Sequence, residues 1–222
     1  MDAEINSILV TLHHISENES RNREYRICLN KNLENPLISA IVLLSEKRII
    51  DPTIIFNPKI RVSYTRKRPT YWDAFKAAWK YKKRIFNRKK SLLIVCNGDI
   101  YISADSINKM YCRVNKKTCL ALSRWNAFVT ENLTIDYELF NRRDSQDTWV
   151  FFNSIKKGRY RIPIGIQGCD NRIAKELTRA GYDVKNPSLT IVTNHLHLSE
   201  VRTYTNSSKR IKGPYFLVDL TE

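Results

Sequence analysis

Asn97, Gly98 and Asp99 follow directly on an apolar run, Leu92 to Cys96. Side chains of an extended chain alternate, so Asn97 and Asp99 fall on one side of it. Two oxygen donors at that spacing can hold a hard divalent cation whose remaining positions take water or phosphate. Asn-Gly is also a strong turn dipeptide, and the same three residues read equally as a turn. His195 and His197 flank Leu196; on a strand both imidazoles share a face, a spacing open to zinc. No third strong ligand stands near them in the sequence, and two satisfied structural histidines account for them as well. Arg66, Lys67 and Arg68 precede a helical run that opens at Thr70. Guanidinium groups beside a helix N-terminus favour an anion, whereas a solvated basic loop needs none. Asp170, preceded by Gly168, stands at the start of another helical run, where Asp is a favoured N-cap.

The elements that must position these residues alternate along the chain. Ser7–Leu12, Ile38–Leu44, Ile60–Tyr64, Leu92–Cys96 and Thr118–Leu122 have the length and apolar content of strands. Between them, 18–35 is helical, with Tyr25, Cys28, Leu29 and Leu33 on one face and Pro36 as its stop. Thr70 to Arg84 is a helix with Tyr71, Phe75, Ala78 and Trp79 at helical spacing, and Ser106–Tyr111 is a shorter one. The second half is less regular: a strand over Thr148–Phe152, a helix over 170–180 ended by Gly181, and a last strand over Leu189–Thr193. This order predicts a single α/β domain over residues 1–222 with a mostly parallel central sheet flanked by helices, and a basic tail from about 203 wrapping back. Ligands of such sheets bind beyond the carboxyl ends of the strands. Those ends carry His13 and His14, Ser45 and Glu46, Arg66 to Arg68, Asn97 to Asp99, and Ser123 to Trp125.

Composition narrows the function classes. Thirty-eight basic against 22 acidic residues give a net charge of +16, a field that attracts nucleic acid, acidic membrane or phosphorylated small molecules. Eight of the fifteen residues from Lys76 to Lys90 are basic and none is acidic; this run reads as surface charge, open to an acidic acceptor or a peripheral membrane contact. No apolar run reaches the roughly 18–20 residues of a membrane span, and five cysteines without a C-x-x-C pair argue against a disulfide framework or thiolate zinc. A cytoplasmic, reducing location is expected. A phosphate-binding G-x-x-x-x-G-K-[ST] loop is missing.

The placement of Asn97-Gly98-Asp99 at the end of a central strand resembles glycosyltransferases of the GT-A fold, whose D-x-D-type motif holds Mn²⁺ or Mg²⁺ against the diphosphate of a nucleotide-sugar. Asn97 departs from that motif, which leaves Asp99 as the firmer ligand. Further blocks resemble, in order, a GT-A-like group of bacteria and large DNA viruses: Glu17-Asn18-Glu19-x-Arg21-Asn22, Ser123-Arg124-Trp125, Ser145-Gln146-Asp147-Thr148-Trp149, Gly168-Cys169-Asp170-Asn171-Arg172, Asn186-Pro187-Ser188 and His195-Leu196-His197. The likeness spans about residues 7 to 204. It implies a nucleoside-diphosphate sugar donor, UDP-linked, and a glycan or glycoprotein hydroxyl as acceptor, transferred with inversion. It implies metal ligation by Asp99 and Asn97, completed by His195 or His197, and a donor site including Thr11, His13, Glu46, Arg66, Arg68, Asn97, Gly98 and Arg124. Asp170 is the first candidate for general base, with Asp147 as its rival or as a partner of donor hydroxyls. The competing class is a basic nucleic-acid-binding α/β module without catalysis, motivated by the charge, eleven Tyr and four Trp; the aromatics are dispersed and no nucleic-acid motif accompanies them.

Overall fold

The computed structural model describes residues 5–49, 51–87, 89–199 and 210–222. In chain order the elements are β1 (Asn6–His13), α1 (Glu19–Glu34), β2 (Ala40–Ser45), α2 (Pro52–Ile55), β3 (Ile60–Tyr64), α3 (Tyr71–Phe86), β4 (Ser91–Cys96), β5 (Ile100–Ile102), α4 (Ala104–Arg113), β6 (Thr118–Leu122), β7 (Trp125–Val129), β8 (Ile135–Leu139), β9 (Thr148–Phe152), α5 (Cys169–Arg179), β10 (Asp183–Lys185) and β11 (Thr193–His195). Seven strands form the main sheet in the order β10-β6-β9-β4-β1-β2-β3. Every neighbouring pair is parallel except those of β9, which runs antiparallel between β4 and β6. The mostly parallel α/β sheet expected from the strand–helix alternation is therefore present.

The chain winds outward from β1 through β2 to β3 and then returns to the other side of β1 for β4. That reversal opens a crevice beyond the carboxyl ends of β1 and β4, where ligands of open α/β sheets bind. β1, β2 and β4 are apolar on both faces because both faces are covered. Ile8 and Val10 join the core under α3 and α5, while Leu9 and Ile41 join the core under α4, with Ile107 and Met110. Phe75 of α3 anchors the first core, its ring 5.0 Å from both Phe151 and Tyr160. α3 starts where expected, on a Thr70–Asp73 capping box.

A second sheet, β5-β11-β7-β8, stands beside the crevice. Its β7–β8 hairpin and β5 lie outside the sequence reading: the hairpin strands bury no apolar face, and β5, although Ile100 and Ile102 enter the core, is only three residues long. The last strand is not Leu189–Thr193: residues 188–190 turn, and β11 begins at Thr193. Pro187 accounts for this, its carbonyl accepting from Thr190 and Ile191 to close the turn.

α1 corrects the sequence reading most. Its buried residues are Arg21, Glu24, Cys28 and Asn32, whereas Tyr25, Leu29 and Leu33 are only partly covered. The helix packs with a polar stripe against the crevice and the second sheet: Asn32 donates to Ile100 and accepts from Ile102, and Asn35 donates to Ile102. Those side chains satisfy the free edge of β5. Of the 76–90 basic run, Lys82 is buried and donates to the Asn87 carbonyl, so it is not surface charge. The described part of the tail, 210–222, crosses the start of α5 and meets β10: Ile211 bonds Gln167, Phe216 bonds Asn171, and Thr221 bonds Asn186. Residues 203–209 of the expected tail lie outside the described residues.

Candidate active site

β4 ends at Cys96, and the chain turns through Asn97-Gly98-Asp99 into β5. Gly98 is needed there for space. A Cβ at this position would sit 2.7 Å from the backbone oxygen of Leu12 and 3.5 Å from the Tyr25 ring. The oxygen belongs to β1 in the middle of the sheet and cannot step aside cheaply. Gly98→Ala should therefore destabilise the protein by roughly 1–3 kcal/mol, which thermal unfolding would register as a melting temperature about 3–10 °C lower.

Asp99 is 8% exposed and its two oxygens differ. Oδ2 takes the Arg21 guanidinium and lies 3.1 Å from His195 Nε2. Oδ1 is buried and meets no hydrogen-bond donor among the described residues. Burial by itself would raise this carboxyl, but His195 and Arg21 outweigh it and hold it well below the usual carboxylate range. Arg21 also binds Glu24 at 2.7 Å and the Leu196 carbonyl at 3.1 Å, and stacks 4.5 Å over the Tyr25 ring. It ties α1, the Asn97–Asp99 turn and the chain after β11 to one point.

The histidine that approaches Asp99 has a defined orientation. Asn126 Oδ1 accepts from Arg124 Nε at 2.9 Å, which fixes the amide, and the same oxygen is 2.8 Å from His195 Nδ1. Nδ1 must then be the donor, and Nε2 points toward Asp99 with a lone pair or a second proton. His197 lies alongside, its ring 5.5 Å from that of His195. One ligand atom each from Asp99, His195 and His197 fall within 4.8 Å of one another. This mixed nitrogen and oxygen set, with a buried oxygen that meets no donor among the described residues, fits a divalent metal ion. The structure brings Asp99, 96 residues away in sequence from His195, beside the histidine pair as a possible third donor.

Asn97 points elsewhere than its motif position suggests. Its Nδ2 donates to Asp147 Oδ1 at 2.7 Å, and its carbonyl accepts from Thr11 Oγ1 at 3.0 Å. Thr11 is buried and braces the turn. Asp147 enters from the loop before β9 and is also held by Arg124 at 2.9 Å. Arg124 lies 4.1 Å over the Phe140 ring.

Asp170 occupies the first turn of α5 as its second residue, and Gly168, in the left-handed conformation, is the cap. Asp170 is therefore not the N-cap. Both of its hydrogen bonds fall on Oδ1, from Tyr71 Oη at 3.0 Å and Cys169 Sγ at 3.2 Å. Burial, and then the charge of Asp147, push the Asp170 carboxyl up to about 7. Arg124 feels Asp147, Asp99 and Asp170 together, so these three carboxyl groups lie within electrostatic reach of one guanidinium.

The remaining predicted residues lie at the ends of β1, β2 and β3. Burial, and then Arg68, lower the His14 imidazole, which Glu46 pulls upward and Arg21 lowers further, so these side chains lie within electrostatic reach of one another. His13 is lowered by burial and by His14. Arg66 and Arg68 are exposed and, with Thr65, Lys67 and Asp73, line a shallow depression of about 390 Å³ at the start of α3. The residues that sequence reasoning missed are Glu24, Asn126 and Tyr71. Glu24 carries a signal, since it lies three residues from Arg21 on the same helix face; Asn126 and Tyr71 carry none.

No family model and no curated protein matches the chain. Among solved structures, GalNAc-T7 with UDP, GalNAc and Mn²⁺ is similar over 88% of this chain and 44% of its own, at TM-score 0.49 and 8% identity. The 4-diphosphocytidyl-2C-methyl-D-erythritol synthase of Anaerococcus prevotii is similar over 66% of this chain and 69% of its own, at TM-score 0.38 and 14% identity. The 2-C-methyl-D-erythritol 4-phosphate cytidylyltransferase of Francisella tularensis follows at 66%, 72%, 0.39 and 17%. At such values the likeness concerns chain fold alone, and function is read from the cleft.

Proposed function

We propose that the chain is a Mn²⁺-dependent glycosyltransferase that moves a sugar from a nucleoside-diphosphate donor, UDP-linked, to a hydroxyl of a glycan or protein acceptor with inversion. The observation that supports this reading is that a set able to hold a cation and a carboxyl raised to about 7 both lie within electrostatic reach of Arg124, near the switch point of the sheet. Asp99, His195 and His197 would hold the ion, which supplies Lewis-acid neutralisation of the departing diphosphate. Arg21 orients Asp99 through Oδ2 and leaves Oδ1 for ligation. Arg124 and Asn97 hold Asp147 rigid, in place to bind donor hydroxyls. Glu46, Arg66 and Arg68 surround the nucleotide side, with His13 and His14.

Asp170 Oδ2 takes the proton of the acceptor hydroxyl while that oxygen attacks the anomeric carbon. The bond from this carbon to the diphosphate oxygen breaks, and the nucleoside diphosphate leaves. A carboxyl near 7 suits the step, since its conjugate base is both populated at neutral pH and basic enough to accept the proton. Tyr71 and Cys169, bonding only Oδ1, fix the group without occupying Oδ2.

A thermal-shift titration discriminates this reading from the nucleic-acid alternative. UDP with Mn²⁺ at about one hundred times its Kd should stabilise the fold by roughly 2.7 kcal/mol, with a smaller rise for Mg²⁺. A single-stranded oligonucleotide at moderate salt should leave the midpoint in place. The reverse pattern would remove the enzyme reading.

A further inference from the structure

The outer face of α3 carries no function in the scheme above. Its inner face packs on the main sheet through Ala74, Phe75, Ala78 and Tyr81. Its outer face presents Trp72, Lys76, Trp79, Lys80 and Lys83, at helical steps of four, three, one and three, and all five are exposed. Trp72 is 39% and Trp79 52% exposed. They stand seven residues apart, about 10.5 Å along the axis on one side of the helix. Lys83 Nζ lies 5.6 Å from the Trp79 ring. The single acid of the helix, Asp73, is folded back onto Thr70 as part of the cap.

We infer that this face docks on an anionic phospholipid surface. Indole rings are amphipathic and settle at the headgroup level, and lysines around them keep their stems on the apolar boundary while their charges meet lipid phosphates. The chain's net charge of +16 draws the whole molecule toward such a surface. No helix among the described residues is long and apolar enough to cross a membrane, so the attachment is peripheral. The face is convex, with its two indoles on a helix exterior. Single-stranded nucleic acid is bound instead in a basic groove with stacked bases; lipid is the occupant that the shape and the residue types favour together.

Co-sedimentation of the full chain with vesicles tests the inference. Vesicles of phosphatidylcholine with 30% phosphatidylserine should bind the protein, neutral phosphatidylcholine far less, and binding should fall with salt. Each of Lys76→Ala, Lys80→Ala and Lys83→Ala should weaken partitioning about fivefold, the equivalent of one lysine near a charged leaflet. Trp72→Ala with Trp79→Ala should weaken it at least tenfold, and the melting temperature with UDP and Mn²⁺ should stay that of the unchanged protein. Brominated lipid should quench the unchanged protein's tryptophan emission. Equal binding to neutral vesicles, an absence of quenching, or loss in the lysine variants alone would overturn the proposal. So would single-stranded RNA that binds through Trp72 and Trp79 while vesicles do not. None of these readouts depends on sugar transfer, so failure here and failure of the glycosyltransferase reading are distinct.

Discussion

Asp170→Asn should reduce sugar transfer by about two to four orders of magnitude, the range of a lost general base with its assisted proton transfer, and leave UDP and Mn²⁺ affinity within about twofold. Asparagine keeps an oxygen for Tyr71 Oη and Cys169 Sγ, so the geometry at Oδ1 survives and only proton acceptance is lost. A defect of this kind lowers kcat and kcat/KM together, since the missing interaction forms only in the transition state. The unchanged enzyme should gain activity as pH rises through about 7, because burial and Asp147 hold the Asp170 carboxyl there. The same displacement acts on stability with a definite sign. A carboxyl raised in the folded state binds its proton more tightly there than in the unfolded chain, so its contribution is full below the unfolded value of about 3.9 and is lost as pH climbs to about 7. Asp170→Asn removes that loss: the variant should melt higher than the unchanged protein at pH 8, by a margin that shrinks as pH falls and closes only at about pH 4. Near-normal turnover in Asp170→Asn, or the same kinetic pattern in Asp147→Asn alone, would return Asp170 to a structural role.

Asp99→Asn should lower Mn²⁺ affinity by at least about 100-fold, more than the 10–100-fold typical of losing a group that merely supports a ligand. Mn²⁺ binding followed by electron paramagnetic resonance gives this without any sugar donor. The asparagine retains the shape of the turn and the Leu196 N–H bond to the residue 99 carbonyl, and Arg21 keeps Glu24 and the Leu196 carbonyl as partners. His195→Ala should weaken the ion comparably, while His14→Ala, just past β1, should leave it in place. Stability follows the opposite pH course from that of Asp170. Asp99 is held low by His195 and Arg21, so its contribution is present above the unfolded carboxylate range and is lost as pH falls through the range below it. Mn²⁺ binding undiminished in Asp99→Asn would show that the ion, if one binds, sits elsewhere.

The two predictions rest on a division of labour between carboxylates that elementary electrostatics explains. Asp99 is buried but faces the His195 imidazole and the Arg21 guanidinium, and is driven low. Asp170 is buried beside another carboxylate and two neutral donors, and is driven up. Asp147 sits between them with Arg124 and Asn97 on its oxygens. Environments that separate like groups in this way assign roles to them.

Much of the fold was legible in the residue order. Leu92–Cys96 and Ile38–Leu44 read as strands buried on both faces because unbroken aliphatic runs of that length have few other stable settings; the first is the central strand of the sheet and the second lies just inside its edge strand. Thr70 and Asp73 mark the start of α3 by chemistry that acts over three residues, and the strand-end rule led to Asn97–Asp99 for the same local reason. Local signals also misled where a helix broke the usual pattern: α1 buries Arg21, Glu24 and Asn32 because its partners are the carboxylate of Asp99 and the free edge of β5, neither of which periodicity can represent. What only the tertiary structure decided is convergence. Asp99 and His195 are 96 residues apart, Asn97 and Asp147 fifty, Tyr71 and Asp170 ninety-nine. Residue type and spacing say what each side chain is able to do, but the order of strands in the sheet sets which of them share a cleft. Their protonation follows from that neighbourhood, since a carboxyl's affinity for its proton depends on the charges and water around it in space, and not on its neighbours along the chain.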